Sequence, residues 1–302
     1  MNNKEQQNIQ SEKTLTEIFK YNAEAGASEY HVMIHSTKPE DTYEEQLNAV
    51  LNTYDNLLAK ELKGGVAVFK RYFLSDAANQ ADTLLALTTE GSDCALSIVE
   101  QPPLDGTKIA LWVYLQTDIQ TQVLHNGLFE VKHGAYRHLW AGSAFNRAAN
   151  SEYQTRLLLN DYVMQLMEQG CRLADHCIRT WFFVQNVDVN YAGVVKARNE
   201  VFVTQNLTEK THYISSTGIG GRHADPKVLV QMDTYAIAGV KPEQIHFLYA
   251  PTHLNPTYEY GVSFERGTYV DYGDRRQVFI SGTASINNKG EVVHPGDIHS
   301  LH

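Results

Sequence analysis

An internal repeat constrains the fold of this chain more than any other feature of its sequence. Residues 44–58 and 151–170 both place apolar side chains at helical spacing, and the two segments align when one is shifted by 108 residues. Six aligned pairs are then identical: Glu44/Glu152, Gln46/Gln154, Leu51/Leu159, Asn52/Asn160, Tyr54/Tyr162 and Leu58/Leu166. Self-similarity of this kind predicts one supersecondary unit that is used more than once.

The two aligned segments predict amphipathic helices. Thr42 with Glu45 fits a capping box before the first helix, and Ser151 with Gln154 fits one before the second. The side chains predicted to face the core are Leu47, Val50, Leu51, Tyr54, Leu57 and Leu58 in the first helix and Leu158, Leu159, Tyr162, Leu166 and Met167 in the second. An aromatic-rich strand, a shorter helix (about 77–87 and about 189–204) and two further strands follow each helix. The repeated unit therefore predicts an α+β fold.

A hairpin precedes the second unit, and a similar one closes the sequence. The segment "LWAGSAFN" is similar to "FISGTASIN", with Gly142 matching Gly282 and Ala144 matching Ala284. The closing hairpin therefore predicts the front of a third unit, which would need roughly 85–90 more residues to be complete. We expect a polar N-terminal extension over 1–27, a degenerate first unit over 28–120, a second unit over 121–240, and the front hairpin of an incomplete third unit over 241–302.

Charge and composition exclude several classes of protein. The net charge of −10 opposes binding to nucleic acid or to an anionic membrane surface. No apolar run approaches the length of a membrane span, and the first residues lack the apolar core of a signal peptide. Three cysteines, Cys94, Cys171 and Cys177, are an odd set without a metal or redox spacing, which indicates reduced structural thiols. We expect a cytoplasmic protein with no cofactor and no bound metal.

The order of elements resembles that of the Rid/YjgF (RutC-like) superfamily, once labelled an endoribonuclease (L-PSP) family and better known for hydrolysing enamines and imines. A closer resemblance is to the chorismatases, which hydrolyse chorismate to pyruvate and a dihydroxy acid or convert it to hydroxybenzoate. It is carried by "RTWFFV" (179–184), "YAGVVKARNEVF" (191–202), "STGIGG" (216–221) and "ISGTASI…HPGD" (280–297). The resemblance implies tandem Rid-like (chorismate-mutase-like) units, mixed sheets with helices on one face, a pseudo-trimeric arrangement and a homo-oligomer.

The sequence also departs from that superfamily. Rid deaminases use an arginine on the strand after the second helix and a glutamate on the last strand. Here the first unit has Cys94 and Ala110 near those places, and the second has Ile214 or Ser215, and Gln231. The acidic residue that chorismatases use late in their C-terminal unit has no counterpart in this sequence. Whether the chain is an enzyme is therefore left open.

Three interpretations of the function follow. The first is a chorismatase-like protein that hydrolyses or binds a small unsaturated carboxylate such as chorismate. The second is a non-catalytic Rid-fold protein that binds a small molecule or forms an oligomeric assembly. The third, less favoured, is an enamine or imine deaminase.

Candidate ligand-binding residues fall in three segments. Six of the candidates carry a hydroxyl group or are glycine: Ser216, Thr217, Gly218, Ser281, Thr283 and Ser285. The other three candidates are Arg222, Tyr260 and Arg266. Hydroxyls and exposed amides suit a ligand with carboxylates and hydroxyls, and arginine binds carboxylates in bidentate geometry. The alternatives are a glycine-bulged strand packed on a neighbouring subunit and, for Arg222, a solvated hairpin residue. Arg179 aligns with Lys70 and is predicted to be a strand-edge charge.

Overall fold

The computed structural model describes residues 4–24, 27–88 and 93–297. The parts of the predicted units at 1–3, 25–26, 89–92 and 298–302 lie outside the described residues. Within the described ranges the chain is a mixed α+β protein with three sheets, which lie within residues 4–116, 120–238 and 245–280.

The first sheet has six strands. Its elements are β1 Lys4–Gln10, β2 Thr14–Asn22, β3 Ser28–Ser36, α1 Tyr43–Lys60, β4 Val66–Leu74, α2 Ala77–Leu87, β5 Ala95–Glu100 and β6 Ile109–Gln116. The strand order is β1-β2-β3-β6-β4-β5, in which only β4 and β5 are parallel. The capping box of Thr42 and Glu45 is present at the start of α1.

The second sheet repeats this topology. Its elements are β7 Gln120–Val123, β8 Phe129–His133, β9 Tyr136–Ala144, α3 Ser151–Glu168, α4 Leu173–His176, β10 Cys177–Val184, α5 Val187–Thr204, β11 Ser215–Gly220 and β12 Val230–Ala238. The order β7-β8-β9-β12-β10-β11, with β10 and β11 parallel, matches the first sheet strand for strand. The repeat in the sequence is therefore a repeat of topology.

A third, smaller sheet consists of β13 Ile245–Leu248, β14 Gly267–Asp271 and β15 Arg276–Ile280, all antiparallel. Two 3₁₀ turns, Pro242–Gln244 and Thr257–Tyr260, lie in the same segment. An irregular stretch that includes Gly282–Gly290 follows β15 and lies against β11.

Each large sheet packs its helices on one face, and the three sheets share an apolar cluster elsewhere. The helices cover one core per unit. The shared cluster draws buried residues from all three sheets, among them Phe69, Tyr114, Trp140, Tyr235 and Val270. The rings of Trp140 and Tyr235 are stacked with their centroids 4.2 Å apart. The cluster joins the three sheets into one body.

The prediction of a polar extension over 1–27 differs from the structure, which places β1 and β2 in the first sheet. Thr14, Thr16 and Ile18 alternate as buried residues along β2, so threonine occupies core-facing positions where an apolar residue is the usual signal. The polar composition of this segment conceals the two-residue period.

Two details of α3 also differ from the prediction. The N-cap is Asn150, whose side chain accepts a hydrogen bond from the Tyr153 amide, and Ser151 is the first helical residue. Gln154 is buried and bonds the backbone instead of the cap, at Ala148, Lys227 and Leu229 among others. Met167 was predicted to face the core, but 58% of it is exposed.

Candidate functional site

A cavity of about 530 Å³ lies between β11, α5, the segment that precedes β14 and the segment that follows β15. The residues that line it are Tyr191, Ser216, Thr217, Gly218, Ile219, Tyr260, Val262, Phe264, Arg266, Gly282, Thr283, Ala284, Ile286 and Gly290. Its size is in the range of small-molecule sites. We call it the β11 cavity.

Six of the nine residues predicted to bind a ligand line this cavity: Ser216, Thr217, Gly218, Tyr260, Arg266 and Thr283. The other three, Ser281, Ser285 and Arg222, do not. The structure thus brings together three sequence segments that are far apart in the chain, and each of them contributes at least one residue from the predicted set.

Ser281 lies beneath the cavity and is already fully used by the protein. Its hydroxyl donates to the Glu265 carbonyl oxygen (2.5 Å) and accepts from the Ser216 amide (2.9 Å) and the Arg179 guanidinium (3.4 Å). A serine hydroxyl has one hydrogen and two lone pairs, so none is left for a ligand. Ser281 fixes the hairpin to β11 rather than contacting a ligand.

Ser285 and Arg222 lie outside the β11 cavity. The Ser285 hydroxyl donates to the Val293 carbonyl oxygen (3.0 Å), and the residue lines a neighbouring cavity of about 510 Å³. The backbone of Arg222 bridges that of Glu100 at 2.8 and 3.1 Å, and its guanidinium lies 3.8 Å from the Glu100 carboxylate. Arg222 therefore connects the first two sheets at the surface.

Tyr191 on α5 is a lining residue that the sequence reasoning missed, and it depends on Gly218. A Cβ added at Gly218 would overlap the Tyr191 ring, so only glycine lets the ring lie against β11. The rings of Tyr191, Tyr260 and Phe264 give the cavity aromatic walls. Burial raises the pKa of the Tyr260 phenol, and the nearby Arg266 partly offsets this, so the phenol keeps its proton.

Arg266 is a nearly buried arginine at the wall of the cavity. It is 8% exposed, and one terminal nitrogen donates to the Asn255 carbonyl oxygen (2.8 Å). Its guanidinium lies over the rings of Tyr260 (5.7 Å) and Phe264 (5.4 Å). The buried Nε has no hydrogen-bond partner among the described residues. A buried donor without an acceptor is costly.

Arg198 is a second buried arginine. It does not line the cavity itself but lies near Phe264, which does. It is fully buried on α5, and none of its three guanidinium nitrogens has a hydrogen-bond partner among the described residues. Its guanidinium lies 6.0 Å from the ring centre of Phe264. Burial lowers its pKa, and the hydroxyls of Tyr191 and Tyr260 offset part of this electrostatically, without a hydrogen bond of good geometry.

The prediction that Arg179 is a strand-edge charge is wrong. β10 pairs with β11 on one side and β12 on the other, and Arg179 is only 4% exposed. Burial, and then repulsion from Arg71, lower the pKa of Arg179 to about 9. Its guanidinium donates to the Thr217 and Ser281 hydroxyls and lies 4.8 Å from the Trp181 ring centre. The aligned Lys70 is also buried. The two aligned positions therefore share the same environment, which is the protein interior and not a strand edge.

The cavity has an excess of positive charge. None of its lining residues is acidic. Glu265 is next to Arg266 in the sequence, but its carboxylate accepts from the Tyr213 amide (2.8 Å) and does not line the cavity. Burial raises the pKa of Glu265. The cavity therefore favours an anionic ligand, although the whole chain is acidic.

The corresponding junction between the first two sheets is filled. Gly142 lies against β5, where an added Cβ would fall 2.6 Å from the Leu96 carbonyl carbon. The Ser143 hydroxyl accepts from the Ile98 amide (2.9 Å), and Gln231 donates to the Ile98 carbonyl oxygen (3.0 Å) and to Ser143 (3.1 Å). Gln231 is thus committed to closing this junction.

The described residues contain neither a metal-binding cluster nor a membrane-spanning helix. No group of three or more histidine, cysteine or acidic side chains in residues 4–24, 27–88 and 93–297 could hold a metal ion. Across the same ranges, no helix combines the length and the apolarity needed to cross a membrane. Cys94, Cys171 and Cys177 are buried and form no disulfide.

Comparison with known proteins places the fold. No protein-family model and no curated protein sequence matches the chain. Among solved structures, the tandem sheets match a Rid/YjgF-like, chorismatase-related fold. A chorismatase crystal structure superimposes with a TM-score of 0.58 at 17% identity, over 80% of this chain and 70% of that one. At this identity the likeness is one of fold.

Two shorter structures also match. A putative translation initiation inhibitor from Salmonella typhimurium covers 40% of this chain over 98% of its own length, at 16% identity and a TM-score of 0.32. A YjgF family protein from Neisseria meningitidis covers 40% of this chain over 94% of its own length, at 16% identity and a TM-score of 0.32.

Proposed function

We propose that the β11 cavity binds a small unsaturated carboxylate such as chorismate. The observation that carries this proposal is Arg266, a nearly buried guanidinium at the wall of a cavity that no acidic side chain lines, with no carboxylate partner among the described residues. A ligand carboxylate would pair with this guanidinium, and its charge would offset the buried guanidinium groups.

The shape of the cavity supports a ring-bearing ligand. Tyr191, Tyr260 and Phe264 present aromatic surface, while Thr217, Thr283 and the backbone near Gly282 present polar groups. An apolar wall with a few placed polar groups is typical of a small-molecule site. The chorismatase likeness makes chorismate, a cyclic molecule with two carboxylates, the first ligand to try.

Binding is better supported than turnover. Cleavage of an enolpyruvyl ether requires an acid that protonates the methylene carbon, and no carboxylic acid lines the cavity. Burial raises the pKa of the Tyr260 phenol, which makes it a weak acid. The Glu265 carboxylate is directed at the Tyr213 amide. Deamination of enamines is disfavoured because Gln231 is engaged in the closed junction. A homo-oligomer stays a prediction, which light scattering would check.

Isothermal titration calorimetry with chorismate tests the proposal. We expect Arg266→Gln to weaken binding about 10- to 100-fold, because a charge-assisted hydrogen bond is worth roughly 1.5–3 kcal/mol. Arg276→Gln is the matched control, since Arg276 pairs with Asp271 at the surface, with 63% of its side chain exposed. The proposal fails if wild-type protein does not bind chorismate, or if both variants weaken binding equally.

A coupled assay for pyruvate distinguishes binding from hydrolysis. We expect chorismate to bind without pyruvate release. Pyruvate formed at a rate that Arg266→Gln abolishes would show that the chain is a hydrolase, and it would overturn the non-catalytic interpretation.

A further inference from the structure

The Thr217 hydroxyl is held by two donors at the wall of the β11 cavity. The Arg179 guanidinium donates to Thr217 Oγ1 (2.5 Å), and the Gly282 amide donates to the same oxygen (2.9 Å). The first donor comes from the neighbouring strand β10, and the second comes from the segment that follows β15. Thr217 is therefore fixed from both sides.

These two bonds determine what Thr217 can still do. A hydroxyl has two lone pairs and one hydrogen, and both lone pairs are in use. In the part of the chain that the structure describes, the hydroxyl hydrogen has no acceptor. Since neither a guanidinium nor a backbone amide can accept a hydrogen bond, the roles cannot be exchanged.

We propose that Thr217 is an obligate hydrogen-bond donor to the ligand and that Arg179 is the positioning residue that makes it one. This inference rests on the proposed function and deepens it, because it requires an acceptor oxygen, such as a carboxylate oxygen, at this point of the ligand. A ligand group that could only donate a hydrogen bond would face the Thr217 oxygen, whose two lone pairs are already in use. The hydrogen of that ligand group would then have no acceptor.

Arg179 is well held for this role. It is nearly fully buried, lies over the Trp181 ring and donates also to the Ser281 hydroxyl, which is itself saturated. Ser281 in turn binds the Ser216 amide next to Thr217. The guanidinium, the two hydroxyls and β11 thus form one connected network, which fixes the direction of the Thr217 hydrogen.

Benzoate, a ring-bearing carboxylate without other polar groups, is a suitable probe in calorimetry. We expect Thr217→Val, which keeps the side-chain shape but removes the hydroxyl, to weaken benzoate binding about tenfold. Thr217→Ser restores the hydroxyl and should bind within about threefold of wild type. Thr121→Val on the exposed strand β7 is the matched control for loss of a threonine hydroxyl.

A double-mutant cycle tests the role of Arg179. We expect Arg179→Gln to weaken binding about fivefold in the wild-type background and by less than about twofold in the Thr217→Val background, because its effect acts through Thr217. If Arg179→Gln does not fold, as judged by circular dichroism, Arg179→Lys in the same two backgrounds provides the cycle.

The outcomes separate this inference from the proposed function. Unchanged affinity in Thr217→Val, or no benzoate binding by wild type, overturns the role of Thr217 whether or not chorismate binds. Equal losses from the Arg179 substitution in both backgrounds overturn the positioning role. If benzoate binding depends on Thr217 but chorismate does not bind, the donor role of Thr217 is supported and only the proposed ligand is rejected.

Discussion

The two junctions between successive sheets have the same construction and opposite outcomes. In each, the strand at the end of one six-stranded sheet, β5 or β11, lies against a glycine of the following hairpin, Gly142 or Gly282. The first junction is closed by Ile98, Ser143 and Gln231, whereas the second encloses a cavity of about 530 Å³.

The difference comes from side chains and not from topology. In the aligned strands, "LSIVE" of β5 corresponds to "SSTGI" of β11. Ile98 is replaced by Thr217, and the fully buried Val99 is replaced by Gly218, which leaves room for the Tyr191 ring. A repeated fold can therefore keep one junction for stability and adapt the other for binding, because function depends on the local site.

Gly142→Ala should have the largest effect, because it breaks the closed junction. The added Cβ would overlap backbone atoms of Leu96, which cannot rotate away, so we expect a loss of about 3 kcal/mol in the free energy of unfolding. Urea denaturation measures this loss. Gly220→Ala is the control, because its added Cβ would meet nothing nearer than 4.0 Å. If the two variants are equally stable, Gly142 does not hold the junction closed.

Acid should lower the free energy of unfolding through a buried histidine on β9, the strand that carries Gly142. His138 on β9 is buried, its Nδ1 lies 2.7 Å from the Tyr235 hydroxyl, and burial lowers its pKa to about 3. The unfolded chain binds that proton near pH 6.5, so stability is complete above pH 6.5 and falls by about 1.4 kcal/mol per pH unit below it. His31, whose pKa is lowered to about 4, adds a similar slope.

Urea denaturation at several pH values between 6.5 and 5 checks this prediction. His138→Gln should remove the share of one histidine, which amounts to about 2 kcal/mol over this range. His125→Gln, at a side chain that is 79% exposed, should leave the slope unchanged. An unaltered slope in His138→Gln would mean that other groups bind the protons.

Gly282→Ala should have the smallest effect on stability and so sharpen the comparison with Gly142→Ala. Its Cβ would lie 3.0 Å from the Thr217 methyl group, a side chain at a cavity wall that can move. We expect a loss below about 1 kcal/mol in urea denaturation, together with weaker ligand binding in calorimetry. A loss as large as that of Gly142→Ala would contradict the view that the second junction is open.

The sequence contained enough local information to predict most of the fold. The repeat, the capping box of Thr42 and Glu45 and the helical spacing of residues such as Leu47 and Val50 are local signals, and the helices lie where these signals place them. The strands β1 and β2 were missed because Thr14 and Thr16 occupy core positions, which a pattern of apolar residues does not reveal.

The site was predicted less completely, since contacts between distant segments determine it. Thr217, Gly218 and Arg266 were predicted because motifs carry them, and all three line the β11 cavity. Arg222 was misplaced because its pairing with Glu100, in the first sheet, leaves no local signal.

The sequence did contain a signal for the part of the cavity wall that was not predicted. Tyr191 and Arg198 are seven residues apart on α5, and therefore on one helical face. A large aromatic residue and an arginine on the buried face of a helix are unusual enough to mark a site.

The shared aromatic cluster also affects how the molecule unfolds. Trp140 lies within ring contact of Phe69 and Tyr114 in the first sheet, and Tyr235 contacts Phe279 in the third. Chains built from repeats often melt one repeat at a time, because each repeat contacts only its neighbours. Here all three sheets bury the same rings, so the described body should lose its structure in a single cooperative transition, in which tryptophan fluorescence and circular dichroism change together.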